Sequence, residues 1–375
     1  MKELEVKTWD EIQDMDFPTE EPIVDGLLYN GTYLFVGSPK IGKSFFMLDL
    51  CYHIASGTTL WGREVKTGTT LYVAREDDYK RIRKRLHIMY GIGTNEKMKF
   101  AVESEGITSG LIDQLAAFVK NNPDIQLIIL DTLQKVRGNG NGADQYNYGA
   151  DYEMIGKLKD FTDKQRLCII LVHHTRKMEA SDPFDMISGS SGLLGAVDGA
   201  FVMYKESRTD QNAKLCVTGR DVADMELSLT KDPETLKWQC TFVNEEHRSN
   251  LRNPFLAGLS DFLTNHNNHW QGTATELCEQ LPPGIKTDSA NTLSRKINVL
   301  KDDLYKDFGI AVQNTRTATN RIILLDRSID YLNKLSGKWE QLSLETDIPF
   351  GKNEAMSISG EGECELKPPN DDMTE

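Results

Sequence analysis

A chain of 375 residues exceeds what one hydrophobic core usually organises, so two globular units with tails are expected. A net charge of −14 argues at first against a partner rich in phosphate, but the acids are concentrated at the two ends. Residues 1–30 and 345–375 each carry nine acids against two lysines, leaving a neutral body between them, and binding follows the local field rather than the total charge.

The longest apolar runs, such as Leu167–Val172, are far too short to cross a bilayer, and the N-terminus lacks the apolar segment of a signal peptide. Cysteines at 51, 168, 216, 240, 278 and 364 form no C-x-x-C pair, which fits free thiols in a reducing cytoplasm better than disulfides or zinc.

Residues 1–25 are acidic, interrupted by Pro18 and Pro22, and read as an extended lead-in packing on the domain that follows. The apolar run Tyr33–Val36 predicts a strand, and Phe45–Ser56, closed by Gly57, predicts a helix. Between them lies Gly37-Ser38-Pro39-Lys40-Ile41-Gly42-Lys43-Ser44, which satisfies G-x-x-x-x-G-K-[ST] in the strand-loop-helix context that gives the pattern meaning. A triphosphate needs several donors aimed at one point. Here two glycines let the backbone wrap a phosphate at a helix N-terminus, Lys43 reaches the terminal phosphates, and the Ser44 hydroxyl completes a Mg²⁺ shell. Gly37 to Phe45 are the expected nucleotide contacts, with ATP and Mg²⁺ as cofactors.

Thr69–Ala74 predicts a second strand, followed by Arg75-Glu76-Asp77-Asp78 and a strongly basic helix over 79–90, whose charges read as a solvated face. After a helix over 111–120, Ile125–Asp131 is apolar on both faces and ends in an acid, so Asp131 is the expected Mg²⁺ carboxylate. The Gly- and Asn-rich stretch 137–150, with Tyr146 and Tyr148, is expected to stay mobile until something binds. A helix over 151–165 leads to a strand over 167–172, then His173-His174-Thr175 and a Ser- and Gly-rich connection, 176–192. Residues 199–204 and 214–218 read as antiparallel strands, with Arg220 just beyond.

Near Asn244–Asn250 the composition turns polar, dividing a domain over 26–248 from one over 250–328. In the second, helices over 254–265, 273–281 and 289–307 precede a hairpin of 310–313 and 321–325, the plan of a winged helix. Residues 340–375 lack periodicity and are acidic, a composition that predicts disorder.

Together these motifs resemble the RecA-like ATPases of the RepA type, found in plasmid and mobile-element replication. The likeness spans about 16–326 and rests on the phosphate loop, Tyr72-Val73-Ala74 with Glu76-Asp77, Leu130-Asp131, His173-His174-Thr175, Gly189-Ser190-Ser191-Gly192 and Val217-Thr218-Gly219-Arg220-Asp221. Lys40 departs from the glycine often found at its position. The resemblance implies an α/β fold, a RecA-like P-loop core with a mostly parallel sheet, and a ring-shaped homo-oligomer, expected to be a hexamer, with nucleotide between subunits. It implies Glu76 as the group that prepares the attacking water, with Asp77 an alternative. It also implies His174 as a γ-phosphate sensor and Arg220 as an arginine finger reaching the neighbouring subunit's site.

In such rings the segments corresponding to 137–150 and 176–192 contact single-stranded DNA, with Lys135, Arg137, Arg176 and Lys177 for phosphates and the two tyrosines for bases. Ser294, Arg295, Lys296 and Asn298 on the third helix of the second domain would face a DNA groove, with Lys301, Arg316 and Arg321 nearby, although eight basic against seven acidic residues between 252 and 325 give little net attraction. The expected function is an ATP-hydrolysing helicase or DNA-dependent ATPase. The alternative is a nucleotide-gated assembly protein that does not unwind DNA.

Overall fold

The computed structural model describes residues 4–15, 17, 21–137, 148–176, 180, 182–188, 191–207, 209–245, 253–316 and 321–328. Expectations for Tyr146, Lys177, Gly189, Ser190, the junction at 246–250 and the acidic segment 340–375 lie outside these residues, as do those for the side chains of Tyr148 and Arg316. The chain divides into two compact units, 17–254 and 1–16 with 255–375.

Residues 17–254 form an α/β unit around one nine-stranded sheet. Its strands are β1 (Gly31–Gly37), β2 (Thr69–Ala74), β3 (Met98–Ala101), β4 (Ile125–Asp131), β5 (Cys168–His173), β6 (Gly199–Tyr204), β7 (Asn212–Gly219), β8 (Met225–Lys231) and β9 (Trp238–Glu245). They are ordered β3-β2-β4-β5-β1-β6-β7-β8-β9. The first six in that order are parallel and the last three extend the sheet by antiparallel pairing.

Helix α1 (Trp9–Asp14) belongs to the other unit; the helices of this one begin with α2 (Lys43–Ser56) and α3 (Tyr79–Tyr90). They continue with α4 (Leu111–Asn121), α5 (Leu133–Val136), α6 (Tyr148–Gln165) and α7 (Ser191–Ala196). Alternate residues of β1 enter separate cores. Tyr33 and Phe35 pack with Phe46, Met47 and Leu50 of α2, while Leu34 and Val36 pack with Leu115 of α4, Ile155 and Leu158 of α6 and Leu193 of α7. Because both faces are covered, β1 is buried at all seven positions and β4 reads as a continuous apolar run rather than an alternation.

The second unit holds α8 (Pro254–Thr264), β10 (His269–Thr273), α9 (Ala274–Gln280), α10 (Ala290–Val299), α11 (Lys301–Phe308), β11 (Ile310–Arg316) and β12 (Arg321–Arg327). Its antiparallel sheet is ordered β10-β12-β11 around a core of Phe255, Leu259, Trp270, Leu293, Ile297 and Leu325. Strand β10 adds to the helices and hairpin read from the sequence. The long helix expected over 289–307 is two helices meeting at Leu300, whose ψ of 7° leaves helical geometry.

The lead-in is not wholly extended. Thr8 and Glu11 form a reciprocal capping box that starts α1, and Asp10 and Asp14 each meet Arg295 of α10 at 3.0 Å. The five cysteines among the described residues are free thiols, and no helix there is long and apolar enough to cross a membrane.

Candidate nucleotide site

The phosphate loop leaves β1 at Gly37, where an added Cβ would lie 2.9 Å from the Met203 carbonyl oxygen, a contact only glycine avoids. Lys40 takes φ +67°, the left-handed conformation that explains why glycine suits this position. Gly42, at φ +116°, opens α2 with no side chain capping its first amides, which leaves them to an anion. The loop rests on Trp238, whose indole Nε1 donates to the Gly42 carbonyl at 3.4 Å. Phe45, one turn into α2, lies under the Lys231 ammonium, 4.6 Å from its ring centre.

Lys43 is buried, and its Nζ donates to the carbonyls of Gly37 at 2.7 Å and Ser38 at 3.1 Å. Burial lowers its pKa to about 8 against the opposing pull of Asp131 and Glu76. The same ammonium is 3.3 Å from His174 Nδ1, so that nitrogen accepts and the ring is neutral there. Burial and the neighbouring Lys43 charge both lower the His174 pKa. His173 turns elsewhere, donating from Nε2 to the Ser188 carbonyl at 2.8 Å.

Sheet register brings the acids to the loop. Ala74 pairs with Asp131 and Val36 with His173, so Gly37, Glu76, Asp131 and His174 all lie at or just past the C-terminal ends of adjoining parallel strands. Asp131 Oδ2 accepts from Ser44 Oγ at 3.2 Å and from Tyr72 Oη at 2.5 Å. Burial raises the Asp131 pKa, and these two hydroxyls oppose the rise. Glu76 is exposed and accepts from Thr132 Oγ1 at 3.0 Å. Its neighbour Asp77 is committed instead to Arg81, at 2.7 Å, and Arg85.

This donor set fits a nucleotide with a hard cation. A hydroxyl and a carboxylate at hydrogen-bonding distance can share one oxygen-preferring ion whose other ligands come from phosphate and water. Among the described residues no cluster of three or more His, Cys, Asp or Glu forms an independent metal site. The Ser38 to Ile41 backbone and Phe45 complete the loop's surroundings.

Arg220 is not gathered here. Gly219 pairs with Gly199, which stands beside Tyr33 of β1, so the four residues from Tyr33 to Gly37, at about 3.3 Å each, put roughly 13 Å of strand between that end of the sheet and the loop, with β6 intervening sideways. Its guanidinium is 57% exposed and lies 3.6 Å from Asp198, which also accepts from Thr32 N at 3.0 Å and pairs with Lys159. Of the proposed strand contacts, Arg137 is drawn into an ion pair with Asp151 at 2.6 Å, Arg176 donates to the Ile187 carbonyl at 3.2 Å, and Lys135 is exposed.

The sequence patterns assign no role to three neighbours of the site: Tyr72, which stands in the motif Tyr72-Val73-Ala74, and Thr132 and Trp238, which no motif includes. Thr132 directly follows the strand-ending acid and Tyr72 lies two residues before the end of β2, so both carried a local hint; Trp238 is 196 positions from Gly42 and carried none.

No curated protein matches this sequence. Among the solved structures that match is one described as a DnaB-like replicative helicase and its interactions with primase, with a TM-score of 0.48 and 13% identity. That match covers 59% of this chain and 62% of the other, less than two thirds of its length. The family model described as an AAA domain matches residues 2–180, the span holding Lys43, Ser44, Glu76, Asp131 and His174.

Proposed function

We propose that this protein binds and hydrolyses ATP with Mg²⁺ as a homo-oligomeric, RepA-type motor acting on DNA, as a helicase or DNA-dependent ATPase. The observation that carries the reading is the convergence of Lys43, Ser44, Asp131, Glu76 and His174 at the ends of four neighbouring parallel strands.

Bound Mg²⁺ and nucleotide supply the electrophilic phosphorus and much of the charge neutralisation. Lys43 would exchange its carbonyl partners for phosphate oxygens, whose negative charge favours its ammonium form. Ser44 and Asp131 hold the cation, with Tyr72 fixing the carboxylate. Glu76, released from Thr132, orients the attacking water and takes its proton. His174, one hydrogen bond from Lys43, registers the change at the terminal phosphate and passes it to the connection 176–192. Arg220 serves a neighbouring subunit, since it lies far from its own loop.

A second reading, nucleotide-gated assembly without unwinding, draws support from two ion pairs. Arg137 is taken by Asp151, and Arg295, on the helix proposed to enter a DNA groove in a winged-helix domain, is taken by Asp10 and Asp14. Steady-state ATP hydrolysis at low salt, with and without single-stranded DNA, decides between the two. Strong stimulation supports the motor; turnover indifferent to DNA supports the assembly switch.

A further inference from the structure

Helix α3 has five Lys and Arg and no acid in twelve residues, within a chain of net charge −14. Asp77 takes up Arg81 and Arg85. Lys80, Arg83 and Lys84 remain exposed with no carboxylate partner among the described residues, and with His87 they follow the i, i+3, i+4, i+7 spacing of one helix face. Lysines of α6 are arranged differently: Lys157 pairs with Glu153 and Lys159 with Asp163, each four residues away.

The α3 pattern works against its own helix. Lys80 sits in the first turn, where the helix dipole disfavours a cation, and it repels Lys84 one turn on; each effect costs a few tenths of a kcal/mol. A face that only solvates the protein would mix signs, as α6 does. At the head of the stripe Tyr79 is 58% exposed, one turn before Arg83.

We infer that this face of α3 is a nucleic-acid contact, with the phosphates of one strand along Lys80, Arg83 and Lys84 and a base against Tyr79. Lys80 to His87 rises roughly 10 Å at about 1.5 Å per residue, and the long side chains of its cations can fan out from that face to successive phosphates of one strand. Exposed aromatics beside cations suit sequence-tolerant stacking. The inference rests on the proposed action on DNA and adds a track separate from segments 137–150 and 176–192. It also gives that track a link to hydrolysis, because Arg81 and Arg85 tie the same helix to Asp77, beside Glu76.

The test uses the full chain and a fluorescein-labelled oligothymidylate of about 30 nucleotides, followed by anisotropy in NaCl from 50 to 300 mM. The variant Lys80→Gln/Arg83→Gln/Lys84→Gln is expected to bind at least ~10-fold more weakly at 50 mM. Its plot of log K against log salt should be shallower by about 2, the slope expected for three lost phosphate contacts to a single strand. Lys80→Arg/Lys84→Arg should keep both affinity and slope. DNA-free ATP hydrolysis should match the wild type in both variants, which removes misfolding as an explanation.

Equal affinity and parallel salt lines in the wild type and triple variant would overturn the α3 contact while leaving the motor reading intact. Loss of binding to polyglutamate with unchanged oligothymidylate binding would overturn it in favour of an acidic protein partner. A wild type that binds no DNA even at 50 mM would overturn the motor reading together with this one.

Discussion

Replacing Lys43 by Met removes the one cation buried in the phosphate loop, and the structure sets the size of the effect. The fall of the ammonium's pKa from 10.5 to about 8 means that holding the charge in the fold costs ~3 kcal/mol. Against this stand the hydrogen bonds to Gly37 and Ser38, each worth ~1 kcal/mol net. Without nucleotide, Lys43→Met should therefore be about 1 kcal/mol more stable than the wild type at pH 7, a rise of about 2–4 °C in melting temperature. Between pH 8 and 10.5 the unfolded chain keeps a proton on Lys43 that the folded chain has released. The wild type thus gains up to ~3 kcal/mol across that window, while below it both states carry the charge and this contribution is flat. Comparing urea unfolding of the two proteins from pH 7 to 10 cancels the titration of buried tyrosines and cysteines common to both. The variant's advantage should vanish with rising pH, and its stabilisation by ATP should be lost at every pH. Parallel pH curves, or a variant that is less stable throughout, would refute the claim that the site holds a strained charge.

Tyr72→Phe should cost ~1–3 kcal/mol in urea unfolding, because Asp131 loses a buried donor, and should raise the Mg²⁺ concentration needed for half-maximal hydrolysis; an unchanged Mg²⁺ titration would separate Tyr72 from the cation. Lys40 is left-handed, so Lys40→Val should destabilise by about 1–2 kcal/mol whereas Lys40→Gly should be neutral or stabilising by up to ~1 kcal/mol; similar melting curves for the two variants would contradict that conformation. Glu76→Gln should retain nucleotide binding and lose hydrolysis by a factor of about 10²–10⁴. Mixing it with an equally inactive Arg220→Ala protein should restore some turnover, and no recovery at any ratio would place Arg220 outside the neighbour's site.

The legible parts of the fold are those governed by local rules. Strands β1, β2, β4 and β5 are apolar on both faces and announce themselves as runs. Strand β3 is four residues long, and β8 alternates Leu227 and Leu229 with Glu226 and Ser228, so neither produces such a run. The loop from Gly37 to Ser44 is contiguous and therefore visible as a pattern. Thr132, Tyr72 and Trp238 meet it only through strand register and long-range packing. The choice between Glu76 and Asp77 likewise turns on three dimensions, since only the fold shows Asp77 already engaged by Arg81 and Arg85 while Glu76 faces Thr132.

The placement of Arg220 restricts the symmetry of any assembly that uses it. Phosphate loop and guanidinium lie at opposite ends of one sheet, so a subunit offering its arginine to a neighbour's loop presents a different surface from the one it receives. Such a contact is heterologous: repeated, it closes into a cyclic ring or continues as a helix, and a two-fold dimer cannot satisfy it on both sides. Each joint then draws its residues from two chains, so one impaired subunit disables one joint through its loop and another through its arginine. Activity in mixed populations would then fall according to which surface is damaged and who sits beside it.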